Sequence, residues 1–389
     1  MSAREEQNRG EDFFYYEKLG LKCVGVWRTK DDSIYYKIYS SVVIAVFMCA
    51  FYIILFFDVF TQNFYDVVDR WVVFAGVSIA MFVNFHWKLN ANNFGKLLRK
   101  MGEANFVRNF YRNDSFERSV TSKWYRHKNI YSATYLTTFL ISIVLQFIYT
   151  LALRYTRTDP DEWKLGYGSV SVVDIKYSPV FEIFCVYQNL GIIYIVVSVA
   201  IIFNIIVGTL NFIATQLRIL QNDIKTVVPD DGADKEKLKN FVKNHVRLLK
   251  FTNEVSEIYS KTILTIFVGS MSSNCLDIYL MSVISVKDLN NVAMFFEALA
   301  GLFAIFLICA ASNNIDNESV RLAKAVYEVN FVGTSLSFQK SLIIILRQTQ
   351  KPIEIKSAGI MSVSFITFTA ILRTIYSAYT MLKTVRSSN

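Results

Sequence analysis

The chain has little proline, with four in 389 residues, and only three histidines and five cysteines. Pro160, Pro179, Pro229 and Pro352 all fall outside the centres of the long apolar stretches, so no helix-breaking ring interrupts them. Cys23, Cys49, Cys185, Cys275 and Cys309 have neither metal nor disulfide spacing and read as small apolar packing residues. His86, His127 and His245 are scattered, without the spacing of a metal-ligand set. A Gly-rich phosphate loop, a GxSxG elbow and an HExxH helix are also missing. These absences weigh against an enzyme, and no cofactor or bound metal is expected. The first 36 residues are polar and mixed in charge, without the early apolar region of a cleavable signal peptide. The first membrane helix is therefore expected to serve as its own insertion signal.

Charge is scarce in long runs. Residues 38–57, 71–87, 129–153 and 183–217 contain no Asp, Glu, Lys or Arg. Three further apolar stretches each contain one: 262–286 with Asp277, 289–315 with Glu297, and 357–382 with Arg373. A membrane-crossing helix needs about 20 apolar residues, so seven segments meet or approach that length. The implied fold class is an all-α membrane protein of seven transmembrane helices. Expected spans lie near 37–58, 67–87, 130–153, 180–212, 261–285 and 291–312, the first six forming a domain over 1–312. A seventh helix and its tail occupy 357–389.

The basic residues set the orientation. Alternate loops and flanks collect 32 Lys and Arg on one side and 8 on the other. The positive-inside rule places the first set, and with it the N-terminus, in the cytosol. The C-terminus is then external, opposite to a G-protein-coupled receptor. The net charge of +9 follows from this bias and calls for no nucleic-acid partner.

The run 183–217 spans about 50 Å at 1.5 Å per residue, too long for one crossing. Its cytosolic end is expected to tilt or project. Residues 235–261 repeat apolar groups at helical spacing through Leu238, Phe241, Val242, His245, Leu248 and Leu249. Residues 318–346 read similarly through Val320, Ala323, Val326, Tyr327, Phe331 and Leu336. Together with 313–356 and parts of 213–260 these segments predict a cytosolic bundle of anchor helices. The stretch 348–352 ends one helix before the last begins near Ser357. That last helix has a bulky side (Met361, Phe365, Phe368, Leu372, Ile375, Tyr379, Leu382) and a slimmer one (Thr367, Ala370, Thr374, Ala378, Met381, Val385), as a pore-lining helix requires.

The C-terminal motifs resemble those of insect odorant receptors: Glu318-Ser319-Val320, Ala325-Val326-Tyr327, Phe338-Gln339-Lys340-Ser341-Leu342, Gln350-Lys351-Pro352-Ile353, Ala358-Gly359, Ile371-Leu372-Arg373 and Tyr376 to Leu382. The resemblance implies an odorant-gated cation channel at the plasma membrane, in dendrites of olfactory sensory neurons. It implies assembly with a shared co-receptor into a heterotetramer within membrane lipid, around a pore lined by the last helices. This chain looks like the odorant-specific tuning subunit, because the long insertion and the C-terminal tail of the co-receptor are missing. Met381 and Val385 then align with the hydrophobic gate and Thr384 with a polar pore residue, while Thr374 and Ala378 line the path. Related gustatory receptors, or a seven-span transporter or membrane enzyme, are the alternatives.

The resemblance also places an odorant pocket in the outer half of the second, third, fourth and sixth spans. The side chains expected there are Trp71, Phe74, Ala75 and Ser78; Gln146, Tyr149 and Leu153; Tyr187, Leu190, Gly191 and Tyr194; and Met294, Phe295 and Ala298. The intramembrane charges Asp277, Glu297 and Arg373 lie at similar depth and are expected to couple the last helix to its neighbours, with Arg373 the shared partner.

Overall fold

The computed structural model describes residues 13–29, 32–60, 68–102, 114–163, 165–167, 176–225, 234–283, 289–359 and 361–387. Among them the helices are α1 (Tyr15–Cys23), α2 (Ile34–Ile44), α3 (Phe51–Phe60), α4 (Val68–Leu89), α5 (Ala91–Gly102), α6 (Asp114–Thr156), α7 (Val180–Lys225), α8 (Asp234–Val283), α9 (Leu289–Tyr327), α10 (Leu336–Thr349) and α11 (Phe365–Ser387). A π-helical turn, Ala45–Ala50, joins α2 to α3, and a two-stranded antiparallel hairpin, β1 (Lys356–Ser357) and β2 (Met361–Ser362), precedes α11.

Among the described residues, six helices are long and apolar enough to cross a membrane: Ile34–Val59, Arg70–Leu89, Ser115–Thr156, Val180–Lys225, Glu236–Ser282 and Leu289–Tyr327. Each overlaps one of the first six expected stretches, and the last four run well beyond it. The seventh, α11, has 23 residues and carries many hydroxyls. α7 is the axis of the molecule. Its 46 residues extend about 70 Å at the helical rise, so the charge-free run does continue beyond one crossing. From Ile202 to Leu217 nearly every α7 side chain is buried, because neighbours surround the helix on all sides.

The polar end of α8 packs largely as the periodicity requires. Leu238, Phe241, His245 and Leu248 on α8 are buried, although Val242 is exposed. On α9 the expected register holds at Val326 and fails at Val320 and Tyr327, which are exposed. The buried side chains there are Leu322, Ala325 and Val326, with Val329 buried just past the helix end. The helix also does not run on to 346. It stops at Tyr327, Gly333 takes a left-handed φ of 81°, and the Ser335 hydroxyl caps α10 by accepting from the Phe338 amide at 3.3 Å. The break exposes Phe331 and Leu336.

The last helix also starts later than its composition implied. Ala358 and Gly359 both have positive φ, 52° and 70°, which closes a tight hairpin instead of a helical turn. Ser260 on α8 fixes this turn: its hydroxyl accepts from the Ala358 amide at 2.5 Å, and its carbonyl accepts from the Ser357 hydroxyl at 3.0 Å. Ile355 and Val363 are buried beneath it. The hairpin therefore sets where α11 begins and packs it on α8 and α9.

α1 is held by a buried ion pair. Lys128 Nζ lies 2.6 Å from Glu17 Oε1, and Asn204 Nδ2 donates to the same carboxylate at 2.9 Å. α6 and α7 approach closely alongside, where Gly208 presents its carbonyl to the Trp124 indole N–H at 3.0 Å. A Cβ on Gly208 would meet the Phe14 ring at 3.0 Å.

A candidate ligand cavity between five membrane helices

A cavity of about 150 Å³ opens between α4, α6, α7, α8 and α9, beneath Tyr167 of the loop that follows α6. α4 contributes Val73, Gly76, Val77, Ile79 and Ala80, and α7 contributes Ile192, Ile195, Val196, Val199 and Phe203. These two walls are apolar throughout. α6 adds Tyr135, Phe139, Ser142 and Ile143. The polar groups concentrate on α8, through Ser270, Ser273, Asn274 and Asp277, and on α9 through Glu297. A concave, mostly apolar space with a few convergent polar groups is the usual form of a small-molecule site. A cavity of roughly this volume takes a benzene-sized guest.

Helix spacing explains the polar wall. Residues 270, 273, 274 and 277 recur at i, i+3, i+4 and i+7, one face of α8. Gly301 permits α9 to come close, since a Cβ there would lie 2.7 Å from Asn274 Nδ2. Asn274 donates to the Ser270 carbonyl at 2.6 Å, which leaves its own oxygen without a partner. Asp277 is 1% exposed, and its Oδ1 has no hydrogen-bond partner. Ser142 donates to the Ala293 carbonyl at 3.0 Å and ties α6 to α9.

Two glutamines hold the roof. Gln146 Nε2 donates to the Gly166 carbonyl at 3.0 Å, and Gln188 Nε2 donates to the Tyr167 carbonyl at 3.4 Å. Gly166 is required for this approach, because a Cβ would lie 2.9 Å from the Thr150 hydroxyl. Burial raises the pKa of the Tyr167 phenol, and the charge of Glu297 adds to the effect.

The side chains expected in the pocket sit on the right helices, but none of the fourteen lines this cavity. Trp71, Leu190 and Phe295 are exposed. Phe74 stacks on Tyr52 at 5.2 Å, and Ser78 donates back to the Phe74 carbonyl. Ala75, Tyr149, Leu153 and Met294 are half-buried, while Ala298 is buried. Gln146 supports the roof instead of facing the cavity. Tyr187 donates to the Val46 carbonyl at 2.7 Å, an acceptor in the π-helical turn. Gly191 lets Phe51 approach α7. Tyr194 donates to the Val24 carbonyl at 2.7 Å and stacks on Phe47. The cavity lies deeper on α6 and α7, and on α4 it faces another side of the helix. Sequence reasoning passed over Asn274, Ser270 and Gly301. For Ser270 and Asn274 the signal was the polar i, i+3, i+4, i+7 stripe ending at Asp277.

Of the three intramembrane charges, Asp277 and Glu297 do face one cavity. Arg373 lies exposed on α11 and forms no ion pair with either. On α11 the buried stripe is Ile371 and Ile375, flanked by Phe368, Ala378 and Leu382. Ala378 thus belongs to the packed side, and Leu372 leaves it. Thr374, Met381 and Thr384 are exposed; the side chain of Val385 lies outside the described residues.

A family model described as the 7tm odorant receptor matches residues 63–376. Among curated proteins, the chain is 26% identical over 197 residues to putative odorant receptor 92a of Drosophila melanogaster, covering 50% of this chain and 47% of that one. It is 27% identical over 212 residues to odorant receptor 82a of the same species, covering 54% of each. The chain therefore spans about half the length of these relatives. In fold it is similar to the solved insect olfactory receptor OR5 of Machilis hrabei in complex with eugenol. The TM-score is 0.85 at 16% identity, over 96% of this chain and 100% of that one.

Proposed function

Because this chain belongs to the 7tm odorant receptor family, a family of multi-pass membrane proteins, we propose that it is the odorant-binding subunit of an odorant-gated, non-selective cation channel. The observation that carries the proposal is the largely apolar cavity between five membrane helices, beneath Tyr167. A volatile molecule gains affinity there from apolar burial, at about 25 cal/mol per Å² removed from water.

The cavity and α11 share two helices. α8 and α9 both line the cavity and both pack on α11. On α9, Ala304 faces the cavity, and two residues on Phe306 contacts Phe365 at 5.9 Å and Phe368 at 5.7 Å. A ligand that fits better when α9 has shifted favours the state in which α11 has moved, by its differential affinity for that state. α11 leaves Ala370, Thr374, Ser377, Met381 and Thr384 exposed along one line. This stripe is the pore lining in our reading, with Met381, beside Val385, as the hydrophobic constriction. Ala378 supports it from the packed side.

The working assembly is a heterotetramer of this tuning subunit with an insect olfactory co-receptor. It sits in the plasma membrane of olfactory sensory neuron dendrites, with the N-terminus in the cytosol and the C-terminus outside. Co-expression of this chain with such a co-receptor, under voltage clamp and a panel of volatiles, tests the proposal. Odour-evoked cation current is expected with the pair and little or none with this chain alone. A pair that reaches the cell surface and responds as the co-receptor alone does would overturn it.

A further inference from the structure

We propose that the ligand selected by this cavity is a small volatile primary amine, whose ammonium group is held by the Asp277 and Glu297 carboxylates against otherwise apolar walls. The inference deepens the odorant-binding reading and rests on it. Asp277 is 1% exposed and yet lines the cavity, with Oδ1 lacking any hydrogen-bond partner. Asn274, one turn away and equally buried, also has a side-chain oxygen without a partner. Neither carboxylate is matched by a Lys or Arg among the described residues, and Arg373 is exposed on another helix.

A buried carboxylate is costly unless a cation or several donors meet it. Asp277 and Asn274 each carry a side-chain oxygen without a hydrogen-bond partner. The Asn274 amide already serves the Ser270 carbonyl, and the Ser142 hydroxyl serves the Ala293 carbonyl. An alcohol brings one donor hydrogen and no charge. A primary ammonium brings three donors and the missing positive charge. The aromatic rings of Tyr135, Phe139 and Tyr167 on the same cavity add faces that attract a cation. α4 and α7 supply only apolar contacts, so the ligand is polar at one end only. The volume of about 150 Å³ limits its body to about the size of a benzene ring.

The test uses three probes of matched shape, benzylamine, benzyl alcohol and toluene, on the purified full-length chain in detergent near neutral pH. Ligand-dependent thermal stabilisation gives the three affinities. Benzylamine is expected to bind tightest, by about tenfold or more, with Asp277→Asn removing that advantage over benzyl alcohol. Glu297→Gln carries the same expectation should Asp277→Asn fail to yield folded protein. Equal binding of the three probes to the wild-type chain overturns the amine assignment and leaves the odorant reading standing. So does amine affinity unchanged in both variants. Binding of none of the three overturns the amine assignment too, and the currents of the co-expressed pair then decide the odorant reading separately.

Discussion

Lys128 Nζ and Glu17 Oε1 stand 2.6 Å apart with the lysine side chain 1% exposed. The pair joins α6 to α1, and the Asn204 amide from α7 completes the carboxylate's contacts. Lys128 also lies 4.6 Å from the Phe14 ring centroid and 4.7 Å from that of Tyr125. The charge is thus met by one carboxylate, the Phe13 carbonyl at 3.0 Å and two aromatic faces.

Breaking that pair strands a buried charge. Lys128→Met and Glu17→Gln are each expected to destabilise the chain by about 3 kcal/mol or more. The double variant should cost less than the sum of the two. Thermal unfolding of the four proteins in detergent gives the cycle, and strict additivity would show that the two groups act independently.

The roof over the cavity depends on Gly166. Gly166→Ala places a Cβ against the Thr150 hydroxyl and the Gln146 side chain and is expected to push the Tyr167 loop outward. Gln146→Leu removes the donor to the Gly166 carbonyl and should act in the same direction, at about 1–2 kcal/mol. Both variants are expected to lower ligand affinity while current density at saturating ligand stays near wild type. Unaltered dose–response curves in both would rule out a roof role.

Coupling between cavity and α11 runs through Phe306 in our reading. Phe306→Ala removes the ring contacts to Phe365 and Phe368, each worth about 1 kcal/mol. Maximal odour-evoked current is expected to fall severalfold, with ligand binding to purified protein unchanged. A parallel loss of binding would instead make Phe306 part of the cavity's support.

Acid is expected to loosen the polar end of α8. His245 is 5% exposed and stacks on Phe241 at 6.0 Å, and burial lowers its pKa below the ordinary value of 6.5. The folded state therefore holds the neutral ring. The unfolded chain takes up a proton first as pH falls, so stability declines below about pH 6.5 until the folded value is reached. His245→Gln should flatten the thermal stability profile between pH 7.5 and 5.5. An equally steep profile in the variant would place the acid sensitivity elsewhere.

The apolar spans and the buried face of the polar end of α8 were legible because each follows from a one-dimensional pattern. Charge-free runs of 17 to 35 residues leave the backbone no option in lipid but to satisfy itself as helix. Leu238, Phe241, His245 and Leu248 repeat at the period that buries one face. The hairpin at Ala358 and Gly359 was not legible in the same way. The hydroxyl-rich sequence reads as helix, and the turn is fixed by Ser260, about a hundred residues earlier in the chain.

The sequence by itself determined that the chain is helical, membrane-spanning and built to carry a few buried charges, since hydropathy and charge spacing are properties of neighbours along the chain. Only the tertiary structure decided which face of each helix met the cavity, that Asp277 and Glu297 but not Arg373 line it, and that Gln146 donates to the Gly166 carbonyl. Rotation about a helix axis and the depth at which five helices cross depend on close approaches at Gly166, Gly208 and Gly301, between residues far apart in sequence. Packing resolves those choices, and periodicity on one helix contains no information about them.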